Sequence, residues 1–267
     1  MATSRAQPSL PAFVLHRYDW SETSLIVELF TRERGRVVVA AKGAKRPTSN
    51  FRPVLLPFQP LHALLGRTPV DEQAEVLTLR SAEWAGGQPL LKPAALLSGF
   101  YINELLLKLL ARQDPHPALF DAYADTLAAL GALTADAADT DEPVILRAFE
   151  LVLLREVGVL PDLSIATLSA QPLQGDARYT LQAEAGVVPA AHGLAGERWV
   201  ALEAALTHGS AQAVRQACAG VAPGLRGPLR ELLHYHLGPG KLRTRQVWQG
   251  VQKLVSSLPT GLRANPP

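Results

Sequence analysis

The sequence predicts an α+β protein: a five-stranded barrel at the N-terminus, then a mainly helical region carrying a small, irregular β-hairpin insertion. Three observations carry this. Residues 1–84 hold short apolar and β-branched runs separated by polar turns. From Pro93 onward apolar residues recur at helical spacing. Between 159 and 197, Pro161, Pro172, Gly175, Gly186, Pro189, Gly193 and Gly196 break any long element.

The strands are expected at Ala12–Tyr18, Thr23–Phe30, Arg36–Ala41, Phe58–Leu65 and Val76–Leu79. Alternation is clearest in the second, where Leu25, Val27 and Leu29 share one face and Glu28 takes the other. Five short strands fit an OB-fold and an SH3-like barrel alike, and their number alone does not separate the two. Pro93 sits where a helix tolerates a missing N–H, and the helix it opens runs to about Arg112 with apolar residues around its circumference, as a central core helix requires. Pro117–Leu133 is a second helix, Ala135–Asp141 a small acidic linker, and Pro143 starts a third helix that Gly158 ends. In the interrupted segment, Arg178–Ala183 and Gly186–Val188 can pair as a hairpin. Helices resume at Trp199–Leu206, Ala211–Ala219 with Ser210 as its N-cap, Arg226–Leu237 and Thr244–Leu258. The expected organisation is a barrel domain over 1–84 and a helical domain over 85–267 that carries the insertion.

A chain that is 48% hydrophobic and 19% charged is globular rather than disordered. The net charge of +2 is uninformative until it is divided. Residues 32–67 carry eight basic side chains against Glu33 alone, and residues 226–267 carry seven against Glu231 alone, while residues 91–225 are strongly acidic. Two basic blocks in a near-neutral chain point to a polyanion; two solvated faces would look the same. A single cysteine, Cys218, forms no internal disulfide. The longest apolar stretch, Pro93–Leu110, is interrupted by Ser98, Asn103, Glu104 and Lys108, so it reads as a core helix and not as a membrane span. Without a signal-peptide pattern at the N-terminus, the expected location is the cytoplasm, with no membrane partner.

Catalytic signatures are missing. Gly86-Gly87 is followed by Gln88-Pro89 and not by the Lys-Ser/Thr of a phosphate-binding loop, and the sequence contains no G-x-S-x-G, H-E-x-x-H or CxxC. His234 and His236 are two apart, so on a helix they face different ways. An enzyme site assembled from His16, Asp19 and Glu22 lacks a second acid or a metal motif, and neither an enzymatic activity nor a cofactor is expected.

The informative pattern is basic. Arg34, Arg36, Lys42, Lys45, Arg46 and Arg52 lie in and after the third strand, with Tyr18, Trp20, Phe30, Phe51 and Phe58 interleaved. Single-strand binding needs cations for the phosphates and flat side chains for the bases. Phe30 and Phe58, in apolar strands, read as barrel filler, whereas Tyr18, Trp20 and Phe51 suit either role. Gly35, Gly43 and Pro47 mark turns that display the cations. An RNA- or ribosome-associated barrel protein would carry the same stripe.

The ordered segments Phe13-Val-Leu-His16, Trp20-Ser-Glu-Thr-Ser-Leu25, Phe30-Thr31, Gly35-Arg-Val37, Ala41-Lys-Gly-Ala44, Leu56-Pro-Phe58, Leu77-Thr-Leu-Arg-Ser-Ala-Glu83, Tyr101-Ile-Asn-Glu-Leu-Leu106, Leu119-Phe120, Leu146-Arg-Ala-Phe-Glu-Leu151, Tyr235–Gly238 and Leu242-Arg-Thr-Arg245 stand in this order along the chain. Together they resemble the RecO family of bacterial recombination mediators. The resemblance implies an OB-fold followed by a helical domain. It implies binding of single- and double-stranded DNA, annealing of complementary strands, and cooperation with RecR and the single-stranded-DNA-binding protein SSB in loading RecA. Lys241, Arg243 and Arg245 would extend the DNA surface. Arg147, in the Leu-Arg-x-Phe-Glu segment, would receive the acidic, Phe-ended tail of SSB, or else pair with Glu150 or Asp141. Many relatives carry cysteines in the region matching 158–193. Here that region offers only His192, so no structural zinc is expected and packing must hold the hairpin.

Overall fold

A computed structural model describes residues 8–66, 76–87, 90–134, 136–238, 240, 242–244, 246–248 and 250. Strands β1 (Leu10–Asp19), β2 (Leu25–Thr31), β3 (Gly35–Ala41), β4 (Pro60–Leu65) and β5 (Val76–Trp84) close into a barrel of order β1-β2-β3-β5-β4. All pairings are antiparallel except β3 with β5, which are parallel. This order and the parallel closure make the barrel an OB-fold, which strand number could not decide. Val14, Val27, Leu29, Val37, Val39, Leu61, Leu65, Leu77 and Leu79 fill its interior.

Helices α1 (Pro93–Leu109), α2 (Pro117–Ala132) and α3 (Ala138–Glu156) follow, then α4 (Gly196–His208), α5 (Ala211–Cys218) and α6 (Ala222–Leu237). Ile102, Leu105 and Leu106 of α1 are fully buried at the centre of the helical core. Helix α3 starts earlier than expected: the acidic stretch placed in a linker is its first turn. Asp139 and Asp141 there face the positive end of the helix dipole, and Pro143 lies inside the helix. Helix α6 likewise starts at Ala222, with Pro223 in its first turn and Pro228 inside. Residues 243, 244, 246–248 and 250 are helical; the rest of the helix expected to Leu258 lies outside the described residues.

The outer face of the barrel shares a core with the helices, distinct from the barrel interior. Phe13, Leu15, Phe30 and Phe58 pack with α1 and α2, not inside the barrel. The reading of Phe30 and Phe58 as barrel filler is therefore corrected to seam residues, because they point to the outer face that the helices cover. Phe30 and Phe13 each lie 5.4 Å from Phe120 between ring centres. Asn103 of α1 donates to the Leu15 carbonyl at 3.0 Å, and its own carbonyl accepts from the Tyr123 hydroxyl at 2.6 Å. At the β2–β3 turn Gly35 has φ +62°, and a Cβ there would lie 1.8 Å from the Asp114 carbonyl oxygen. Only glycine lets this turn dock on the α1–α2 connection.

The interrupted segment forms β6 (Ile165–Ala166), β7 (Gln171–Pro172), β8 (Arg178–Gln182), β9 (Gly186–Pro189) and β10 (Leu194–Ala195), in a two-stranded and a three-stranded sheet. Tyr179, Leu181 and Val187 pack into the helical core, and the Trp199 indole donates to the Tyr179 carbonyl at 3.2 Å. Arg155 grips both Glu203 oxygens, and one of them also accepts from the Leu163 amide at 2.9 Å.

Candidate nucleic-acid interface

Register builds the site. Tyr18 lies opposite Ile26, Ile26 opposite Ala40, and Ala40 opposite Thr78. Register partners share a face. Their neighbours Val27, Val39 and Leu77 point into the barrel, so this row crosses four strands on the outer surface. The next row is His16, Glu28, Val38 and Val76. Tyr18 is 46% exposed and its ring meets that of His16 edge-on at 4.4 Å. Trp20, 59% exposed, stands in the adjoining β1–β2 turn.

Cations gather at one end of this face. Because β3 and β5 run parallel, Lys42 and Arg80, each two residues beyond its row member, emerge in the same direction. With Arg46 and Phe51 they line a groove of about 490 Å³. Arg52 is exposed in the following turn. Lys45 serves the scaffold: its amide donates to the Thr23 carbonyl at 2.9 Å and its ammonium to the Ser21 carbonyl, 3.4 Å from Asp19.

The stripe read from sequence is therefore divided. Arg34 occupies the β2–β3 turn, a strand length of roughly 20 Å from Lys42. Arg36 is turned inward: its guanidinium donates to the Leu107 carbonyl at 2.5 Å and its own carbonyl accepts from Gln113 at 2.8 Å. Lys241 and Arg245 lie outside the described residues, while Arg243 is exposed. The Arg243 amide is held by Glu104 of α1 at 2.8 Å. His16 has its pKa lowered first by burial and then by the charge of Arg243, against the opposing pull of Glu28. Glu28 is itself buried and 3.5 Å from Arg112.

These features sit on a chain whose relatives are clear. The family described as Recombination protein O N terminal matches residues 6–86, and Recombination protein O C terminal matches residues 91–246. The chain belongs to the RecO family. It is 50% identical to the DNA repair protein RecO of Variovorax paradoxus (strain S110) over 262 residues, covering 95% of this chain and 100% of that one. It is 51% identical to the DNA repair protein RecO of Verminephrobacter eiseniae (strain EF01-2), with the same coverage of both chains. Membership of RecO makes this a chain of a DNA repair family, and the OB-fold its family model implies is the barrel described above.

A second candidate site lies between α1, α3 and α6. Leu97, Tyr101, Leu146, Leu233 and Leu237 line a groove of about 600 Å³, to which α6 adds Arg226, Arg230 and His234, α3 adds Asp139 and Glu142, and the segment after α6 adds Leu242, Thr244 and Trp248. Arg147 also lines it, but its guanidinium is engaged: it reaches Glu150 at 2.5 Å, and the same Glu150 oxygen accepts from the Tyr101 hydroxyl at 2.7 Å. Glu150 is fully buried, and burial raises its pKa despite the counter-pull of Arg147.

Arg80 was missed from sequence, His16 was weighed only for an enzyme site, and Arg226 and Arg230 were counted in the second basic block without being singled out. The alternation Val76-Leu77-Thr78-Leu79-Arg80 marks Arg80 as outward, but its closeness to Lys42 follows only from the parallel closure. Cys218 is buried and burial pushes its thiol up to about 12, consistent with an apolar packing role. Among the described residues no cluster of three or more His, Cys, Asp or Glu is placed to hold a metal, and no helix is long and apolar enough to cross a membrane.

Proposed function

We propose that this chain is a non-enzymatic mediator acting in the cytoplasm at the nucleoid. It binds single- and double-stranded DNA on the outer face of the barrel, anneals complementary strands and, with RecR, helps to load RecA onto SSB-coated DNA. The observation that carries this reading is the pair of exposed rings Tyr18 and Trp20 on the outer barrel face whose far strands, with the turn after β3, carry Lys42, Arg46 and Arg80. Aromatic rings offer stacking surfaces indifferent to sequence, and the cations neutralise phosphates at one end. Neutralised phosphates also let two strands approach, which is what annealing requires. Family membership favours DNA over RNA as the ligand.

The test is fluorescence anisotropy with a labelled single-stranded oligonucleotide across a salt series. Affinity should fall with a log–log slope of about −0.7 per phosphate contacted. Lys42→Ala/Arg46→Ala/Arg80→Ala should weaken binding and flatten the slope by about 2. Arg34→Ala, at the far turn, should change it less. Salt-insensitive binding, or a preference for an RNA strand of the same sequence, would discard the proposal.

A second reading concerns the groove between α1, α3 and α6. An acidic tail ending in Phe needs an apolar slot with cations beside it. The groove fits such a tail of SSB, with Arg226 and Arg230 as the cations that face it and Arg147 as part of its wall. Arg230→Ala should weaken binding of a tail peptide measured by calorimetry. Unchanged affinity would remove the groove from consideration.

A further inference from the structure

We infer that Glu104 is a positioning residue that makes Arg243 part of the nucleic-acid face of the barrel. This rests on the reading that the barrel face binds DNA.

Glu104 sits in the middle of α1, its side chain only 12% exposed, 3.7 Å from Lys108. Both carboxylate oxygens are used by the C-terminal segment. One accepts from the Arg243 amide at 2.8 Å; the other accepts from the Thr244 amide at 3.0 Å and the Thr244 hydroxyl at 2.7 Å. The helical turn beginning at residue 243 leaves its first amides without partners inside the helix. A carboxylate from a different helix meets that need and sits at the positive end of the turn. Burial pulls the Glu104 pKa up, but the bonds from Thr244 and Arg243 and the charge of Lys108 outweigh it and leave the group below its ordinary value.

The neighbouring residue of α1 completes the arrangement. Asn103 donates to the carbonyls of Leu15 and Val14 in the middle of β1, just before His16 and Tyr18. Two consecutive residues of one helix thus hold the strand that carries His16 and Tyr18 and the segment that carries Arg243. Arg243, exposed, is fixed by its backbone to the same helix that holds β1 through Asn103. A cation held in place loses less freedom when it meets a phosphate than one on a loose tail.

The prediction has an unusual sign. Removing an acid near a DNA-binding face should strengthen binding; here Glu104→Ala should weaken it, because Arg243 is released. The experiment compares the full chain with Arg243→Ala, Glu104→Ala, Glu104→Gln and Glu104→Ala/Arg243→Ala in oligonucleotide anisotropy over a salt series, each variant first checked for its fold by circular dichroism. Arg243→Ala should weaken binding about fourfold near 0.15 M salt and flatten the slope by about 0.7, the loss of one phosphate contact. Glu104→Ala should reproduce both changes, Glu104→Gln should retain part of the affinity through its remaining acceptor, and the double variant should be no weaker than Arg243→Ala. Binding by Glu104→Ala that equals or exceeds that of the unaltered chain, or losses that add in the double variant, would overturn the inference. Should Glu104→Ala fail to fold, Glu104→Gln and Thr244→Val carry the same comparison. An unaltered chain that binds no oligonucleotide overturns the DNA reading itself; binding by that chain that is indifferent to Arg243→Ala overturns only the role given to Glu104.

Discussion

The Arg36 guanidinium donates to the Leu107 carbonyl oxygen across the seam between the barrel and the first helix. Its neighbours in the basic stripe project outward, yet this residue works as a bolt. Arg36→Ala should lower stability by about 1–3 kcal/mol, the cost of leaving a part-buried carbonyl unpartnered. Lys42→Ala should stay within about 0.5 kcal/mol. Urea unfolding of the two variants separates them, and equal midpoints would return Arg36 to the surface set.

Asn103 is buried and serves β1 and α2 at once through the Leu15 carbonyl and the Tyr123 hydroxyl. Asn103→Ala strands both groups inside the core and should cost about 2–4 kcal/mol. Tyr123→Phe removes one member only and should cost about 1 kcal/mol. A larger loss in Tyr123→Phe than in Asn103→Ala would show that the network is centred elsewhere.

Arg147→Ala leaves Glu150 buried without its cation, a loss of about 3–5 kcal/mol at neutral pH. The folded-state pKa of Glu150 lies above its ordinary 4.5, so its contribution to stability is present below 4.5 and is lost as pH rises through the folded value. Without Arg147 that value climbs further. The destabilisation should therefore shrink on acidification, and Glu150→Gln should restore much of it. A deficit independent of pH would disprove this. For peptide binding, Arg230→Ala is the cleaner variant.

His16 has a folded-state pKa below 6.5. Its contribution to stability is accordingly present above 6.5 and is lost as pH falls through the folded value. Bound phosphates favour the imidazolium, so oligonucleotide affinity should rise as pH falls to 6.5 and below. Anisotropy at a fixed salt concentration, with His16→Gln as reference, tests this. A pH dependence that survives in His16→Gln would assign the effect to another group.

The barrel was legible because its strands alternate: Val27 and Leu29 inward with Glu28 outward is a pattern that burial imposes on a pleated chain. The start of α3 was not, since Pro143 looks like a helix beginning, whereas the helix starts at Ala138 with Asp139 and Asp141 at its positive end and Glu142 bonded to Ser98 of α1. The site was half legible. Lys42 and Arg46 are read directly from the sequence, whereas the union of Lys42 with Arg80, and of Arg243 with His16, is long-range. Arg36 misled because a cation in a basic run looks solvated until a carbonyl such as that of Leu107 comes within reach.

The segment after α6 lines the groove with Leu242, Thr244 and Trp248, while Arg243, between them, is exposed and bound through its amide to Glu104. A ligand that displaced Leu242 or Trp248 would shift the backbone that carries Arg243. Any such coupling is reciprocal: whatever factor groove occupancy applies to DNA affinity, bound DNA applies to the affinity of the groove. On the proposed reading, this short stretch of backbone would make the two surfaces one thermodynamic system, in which handing a strand over and releasing a protein tail would be the same event seen from opposite sides.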